Sequence, residues 1–281
     1  MTTHQTHQTD PANRSDQPAQ PEQIERLVRS QRPEQTLRFL GEPDRAALAA
    51  LFGLDPARYG ALLDRFDGQA RAAAHELTAE PGFAARAARL PFAPGQHVVA
   101  IGESTTADRL SWFEVLRHLL PDGVRLTNLA VPGSTTTQAL AQLPFVLGFQ
   151  RPDWVLCMLG ANDAQRIDGT PLVSPAETQR NLAALHDLTA GRTAARWVWL
   201  TPTGVDPQRV ADYPHFRRAG LTWSEQDLDA VADFLLTRPE PVVDTRPAGR
   251  GRYQEDGLHL TPAGQQSVAR ALVDALAGPT R

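Results

Sequence analysis

The stretch HVVAIGESTTADRL, residues 97–110, decides the fold. Its first six residues form a short apolar, β-branched run without polar alternation, the pattern of a strand covered on both faces. A glycine and a polar cluster follow, and then the helical window DRLSWFEVLRHLL (108–120). The same order recurs downstream. VRLTNLAV (124–131), DWVLCMLG (153–160), RWVWLTP (196–202) and PVVDT (241–245) read as strands. TTTQALAQLPFVLGF (135–149), PAETQRNLAALHDLTA (175–190), SEQDLDAVADFLLT (224–237) and TPAGQQSVARALVDAL (261–276) read as helices. Buried strands alternating with helices of this length predict a parallel sheet with helices on both faces. In such sheets ligands bind beyond the carboxyl ends of the strands.

Upstream of Pro91 the texture is different. Residues 23–92 are rich in Ala, Leu and Arg and punctuated by Gly and Pro, which predicts a module of four or five short helices. Residues 1–22 hold almost nothing to bury and are expected to be disordered. The expected organisation is therefore a tail (1–22), a helical module (23–92) and an α/β domain (93–281).

Composition narrows the function. The 281 residues carry 28 basic and 32 acidic side chains, for a net charge of −4, with 41% hydrophobic and 21% charged residues. This balance disfavours a nucleic-acid partner, which a basic surface would serve. Every basic residue is arginine, so a lysine Schiff base and a P-loop lysine are both excluded. Cys157 is the single cysteine, which excludes internal disulfides and multi-cysteine zinc sites. No apolar run reaches the ~18 residues needed to span a bilayer, and the first residues do not read as a secretory signal, so a cytoplasmic location is expected.

Polar residues and glycines gather at the predicted strand ends: Gly102-Glu103-Ser104-Thr105, Val131-Pro132-Gly133-Ser134, Gly160-Ala161-Asn162-Asp163, and finally Asp256-Gly257-Leu258-His259. These four blocks, in this order over roughly residues 96–277, resemble those of the SGNH hydrolases, the GDSL-type esterases and lipases. The resemblance implies a flavodoxin-like three-layer α/β/α sandwich, here preceded by a small all-α module. It also implies Ser104 as nucleophile, Asp256 and His259 as the other triad members, and Ser104, Gly133 and Asn162 as oxyanion-hole donors. The chain departs from the family where Glu103 replaces the usual aspartate. An extra methylene on a retained charge predicts altered loop packing and intact chemistry.

Physical chemistry supports the same roles. A serine hydroxyl needs an adjacent base to become a nucleophile, and histidine titrates closest to neutrality. Asp256, three residues before His259, can orient the ring if both lie on the turn entering the last helix. Gly133 lets the main chain approach closely. Taken singly, Ser104 reads equally as a helix N-cap and Asp256 as an Asx-turn residue. Cys157, Trp197 and Trp199 read as core, Asn128 as structural, and His118 and His186 as surface or satisfied side chains.

The stretch 202–223 leaves a strand end and carries Tyr213, His215, Phe216 and Trp223, expected here as a substrate wall or lid. Together these features predict a cofactor-free, metal-free serine esterase acting on a small-molecule ester, with the oligomeric state left open. Two alternatives stand beside it: an acyltransferase using the same triad with an alcohol or sugar acceptor, and a catalytically silent interaction protein. Shortening the stretch 202–223 is expected to change acyl-chain preference, measured as relative turnover of acetate, butyrate and octanoate esters.

Overall fold

A computed structural model of the chain describes residues 20–36 and 43–278. Residues 1–19, most of the expected tail, lie outside it; Pro21 and Glu22 already belong to the first helix.

The helices ahead of the sheet are α1 (Pro21–Ser30), α2 (Pro33–Thr36), α3 (Arg45–Leu51), α4 (Pro56–Thr78) and α5 (Phe83–Ala87). Residues 56–78 read in sequence as two helices separated at Gly68, yet α4 runs straight through. A mid-helix glycine costs only about 1 kcal/mol relative to alanine. The stripe Tyr59, Phe66, Ala70, Ala74 and Leu77 is buried on both sides of that glycine, and this continuous apolar face outweighs the cost. Asp55 caps the helix by accepting the Arg58 N–H at 2.9 Å.

From His97 the chain alternates as the hydrophobic pattern requires. The strands of the main sheet are β1 (His97–Gly102), β2 (Arg125–Asn128), β3 (Trp154–Met158), β6 (Arg196–Leu200) and β8 (Val242–Val243). They lie in the order β2-β1-β3-β6-β8, all parallel. Counted along this sheet alone the order is 2-1-3-4-5, and the crossovers change direction between β1 and β3. That is the switch point at which doubly wound sheets bind ligands.

Alternation with period two splits the core into two layers. Val98, Ala100, Leu156, Met158, Val198 and Leu200 face one side. They pack there with α7 (Trp112–Arg117) and α14 (Pro262–Leu276), and with residues of α4 and α5. Val99, Ile101, Val155, Cys157, Trp197 and Trp199 face the other. Here they meet α8 (Thr136–Gln150), α9 (Pro175–Ala190) and α12 (Glu225–Leu236). His186 packs edge-on against Trp197 at 5.3 Å and pairs with Glu240 at 3.2 Å, so it is a satisfied side chain. The last helix also ties itself to the first ones: Gln266 Nε2 donates to Ala73 O at 2.9 Å, Arg86 pairs with Asp274 at 2.8 Å, and Arg270 pairs with Glu80.

Three regions differ from the sequence expectation. The helix expected over 108–120 is replaced by α6 (Ser104–Ala107), a bend and then α7. The bend forms because Asp108 Oδ1 takes the Leu110 N–H at 2.8 Å, offering the backbone an alternative to the helix ladder. The stretch 202–223 is not an irregular loop. It folds into α10 (Pro207–Asp212), α11 (Pro214–Arg218) and β7 (Leu221–Trp223). Strand β7 then pairs antiparallel with β4 (Gln165–Ile167), which also pairs with β5 (Thr170–Pro171). A short helix, α13 (Arg246–Gly249), precedes the final loop.

Leu156 sits fully buried on the central strand β3. Leu156→Ala is expected to destabilise the fold by about 2–5 kcal/mol, read as a lower urea midpoint at unchanged slope.

Candidate active site

Three of the sequence-expected residues converge at the carboxyl edge of the sheet. Ser104 is the first residue of α6, immediately beyond β1. Its Oγ lies 3.1 Å from Nε2 of His259, and Nδ1 of His259 lies 2.7 Å from Oδ2 of Asp256. The other oxygen of Asp256 accepts the N–H groups of Leu258 and His259, both at 2.9 Å. Burial works to raise the Asp256 pKa; its hydrogen bonds from the His259 ring and these N–H groups outweigh burial and leave it below the usual value. An ionised carboxylate only accepts, so Nδ1 carries the ring hydrogen and Nε2 is left to accept the Ser104 hydroxyl.

The loop bearing Asp256 and His259 is held at both ends. Gln254 N–H donates to His259 O at 2.7 Å, and Thr261 caps α14 by accepting the Gly264 N–H at 3.2 Å. Gly257 has φ +71°, and a Cβ there would stand 2.6 Å from Asp206 O. Only glycine lets the loop lie this close to α10, where Asp206 N–H donates to Gly257 O at 2.7 Å.

Gly133 and Asn162 meet on the neighbouring loops. Gly133 turns the chain with φ +76°. Asn162, nearly buried, donates from Nδ2 to Ser134 O at 3.1 Å, which fixes its amide beside that turn. The N–H groups of Ser104 and Gly133 have no acceptor among the described residues.

Glu103 is 3% exposed and sends its carboxyl under the third block, accepting the N–H of Ala161 at 3.0 Å and of Asn162 at 3.5 Å. The extra methylene thus reaches the loop that carries Asn162. Its charge is not simply retained. Burial first, and then the negative Asp163, push its pKa up to about 8, so near neutrality it is mainly protonated. Asp163, also raised by burial, accepts from Thr136 N–H at 2.9 Å, from Thr178 Oγ1 at 3.0 Å and from Thr136 Oγ1.

Sequence reasoning missed two positioning residues. Gln265 is buried; its Oε1 accepts the Trp112 N–H and its Nε2 donates to Thr105 O, both at 3.0 Å. It thereby ties the helix after His259 to the loop after Ser104. The available signal was an amide at helical spacing from Val268, Ala269 and Leu272, on a face otherwise apolar. Arg29 on α1 is the other, gripping Asp108 through contacts of 2.7–3.1 Å. Nothing local in the sequence marks that pair, whose members lie 79 residues apart.

A cleft of about 610 Å³ opens over Ser104 and His259, with Tyr213 and Phe216 among its lining residues. His215 and Trp223, expected to line the site, do not. Trp223 is buried and packs at a tilt behind Phe216, ring centroids 4.9 Å apart, because β7 turns it into a small core, and His215 is exposed beside Tyr213. The side of α1 forms the facing wall.

Because folding holds Glu103 protonated in the range where the unfolded chain releases its proton, the wild type loses stability as pH rises from about 4.5 to about 8. Below 4.5 the group is protonated in both states and exerts no penalty. Glu103→Gln is expected to flatten that decline, read as the difference in urea midpoint between the two proteins across the window. A parallel decline in both would refute it.

Residues 100–267 match the model of the GDSL-like Lipase/Acylhydrolase family, well over half of the chain. Esterase TesA of Pseudomonas aeruginosa is 28% identical over 182 residues, 62% of this chain and 84% of that protein. An arylesterase of Vibrio mimicus is 28% identical over 194 residues, 64% of this chain and 88% of that protein. Among solved structures, Axe2, an acetylxylan esterase from Geobacillus stearothermophilus, shares the fold. Its TM-score is 0.51 at 20% identity, covering 66% of this chain and 95% of that one. These relatives are matched over most of their own length, and roughly a third of this chain lies outside each match. No described helix is long and apolar enough to cross a membrane. The chain belongs to the GDSL-like Lipase/Acylhydrolase family and is an enzyme that hydrolyses ester bonds.

Proposed function

We propose that the chain hydrolyses small carboxylic esters through a covalent acyl-enzyme on Ser104, with His259 as general base and acid and Asp256 as its orienting partner. The observation that carries this reading is the unbroken chain of contacts from Ser104 Oγ to His259 Nε2 (3.1 Å) and from His259 Nδ1 to Asp256 Oδ2 (2.7 Å). The carboxylate fixes the tautomer that leaves Nε2 free to take the serine proton.

Ser104 Oγ attacks the ester carbonyl as its proton moves to His259 Nε2. The tetrahedral oxyanion accepts from the N–H groups of Ser104 and Gly133 and from Asn162. The amide of Asn162 uses one hydrogen on Ser134 O and keeps the second for this purpose. Such donors act strongly because they are already in place when charge develops. The C–O bond to the leaving alcohol breaks as His259 returns its proton to that oxygen. Water, deprotonated by His259, then attacks the acyl carbon; the bond to Ser104 breaks, Ser104 regains its proton and the acid leaves.

Hydrolysis of p-nitrophenyl acetate by the wild type and its variants tests this reading. Ser104→Ala and Asp256→Asn are each expected to lower kcat by a factor of about 10³ or more, and Asn162→Ala by about 10²–10³. Circular dichroism should remain that of the wild type. Near-normal turnover in Ser104→Ala would show that the nucleophile lies elsewhere.

A further inference from the structure

Helix α6, which begins at Ser104, is only four residues long. A single turn gains too few internal hydrogen bonds to fix its own backbone, and the last carbonyls of a helix find no partner within it. All four carbonyls of α6 are nonetheless bonded. Ser104 O accepts the Asp108 N–H and Thr105 O the Gln265 amide, both at 3.0 Å. Thr106 O accepts the Asn128 amide, and Ala107 O accepts from Nε of Arg32, both at 2.7 Å. The turn that aims Ser104 is therefore held from outside.

Three of these ties lead back to residues 29–35, at the junction of α1 and α2. Arg32 makes one directly. Arg29 grips the carboxylate of Asp108, the residue whose N–H bonds Ser104 O, through contacts of 2.7–3.1 Å. Gln35 donates from Nε2 to Asn128 O, fixing the strand end whose amide holds Thr106. All three residues lie outside 100–267, the span that matches the family model.

Arg32 carries the greatest share of this support. Although charged, it is 8% exposed, and it does not line the cleft over Ser104. Its guanidinium also meets Glu114 at 3.2 Å and Glu34 at 3.7 Å. Glu114 belongs to α7, so one side chain locks α6 to α7 and both to the start of α2. A planar fork sets direction as well as distance, which an ammonium does not. A cation against the last carbonyl of α6 also answers the negative end of that turn.

We propose that Arg32 is a positioning residue for Ser104, and that residues 29–35 form a clamp that keeps α6 in register with His259. This rests on the Ser104–His259 reading and adds to it a part for the helices ahead of the sheet. Arg32 touches neither the reacting atoms nor His259; it acts through the backbone of α6.

Hydrolysis of p-nitrophenyl acetate reads the effect. Arg32→Ala is expected to lower kcat about tenfold or more with KM within about twofold, because slight misplacement of reacting groups is costly. Millimolar guanidinium is expected to refill the vacated fork and restore most of that turnover, whereas sodium chloride at equal ionic strength does not. Arg32→Met keeps the bulk of the stem and so the packing; the same loss is expected there, without the rescue. If Arg32→Ala does not fold, Arg32→Met decides alone. Leu185, fully buried on α9 across the sheet, supplies the control: Leu185→Ala loses stability without touching α6 and is expected to keep its kcat. Three results overturn the assignment: wild-type kcat in Arg32→Met, a loss in Arg32→Ala that guanidinium leaves untouched, or the same loss in Leu185→Ala. Ser104→Ala separates the two levels. Turnover retained there removes the catalytic reading and the clamp with it; turnover lost there, beside unchanged Arg32 variants, removes only the clamp.

Discussion

Hydrogen bonds from buried side chains to backbone groups of other loops hold this site together. Four chain segments leave the sheet region at different points, and the geometry depends on keeping their spacing fixed. Glu103 joins the loop after β1 to the loop after β3 through the Ala161 N–H. Asn128 at the end of β2 donates to Thr106 O at 2.7 Å, and Gln265 on α14 reaches Thr105 O and the Trp112 N–H. Asn162 closes the ring by donating to Ser134 O. A buried donor or acceptor that loses its partner costs about 1–3 kcal/mol, so each tie resists drift and together they form a collar of hydrogen bonds around Ser104.

This collar accommodates the full length of the Glu103 side chain beside Ser104. So long a side chain would be expected to push the loop bearing Ser104 outward. Here it is swallowed whole, and the protein holds it largely in the acid form instead of pairing it with a cation. Two buried carboxyl groups, Glu103 and Asp163, then sit near each other without both needing to be ionised.

Much of this could be read from the residues alone. Near-continuous apolar runs such as VLCM and VWL leave few choices besides a covered parallel sheet, and the four polar blocks fall at the strand ends where such a sheet collects its ligands. The grouping of Ser104, Asp256 and His259 was legible because the spacing is local at one end, Asp256 to His259, and because a strand end presents Ser104. What escaped notice is non-local or hidden by ambiguity. The Arg29–Asp108 grip and the Gln265 ties join residues far apart in sequence; the helical spacing that marks Gln265 as inward-facing does not name its partners. Gly68 read as a helix end because its cost is visible locally while the buried stripe that overrides it is a tertiary fact. The strand Leu221–Trp223 is three residues long, too short for alternation to register, so Trp223 was placed in the cleft when it in fact supports the residue that lines it.

The closure of α14 onto α4 and α5 has a consequence for how the chain is made. Arg86 meets Asp274 across 188 residues of sequence, and Gln266 meets Ala73 across 193. During synthesis α4 and α5 emerge well before α14, with the apolar faces of Ala74, Leu77 and Phe83 still lacking that helix. Domains whose contacts join distant parts of the sequence fold slowly and carry exposed sticky surface while they do. The apolar faces of α4 and α5 therefore stay open until α14 has been made and docks on them.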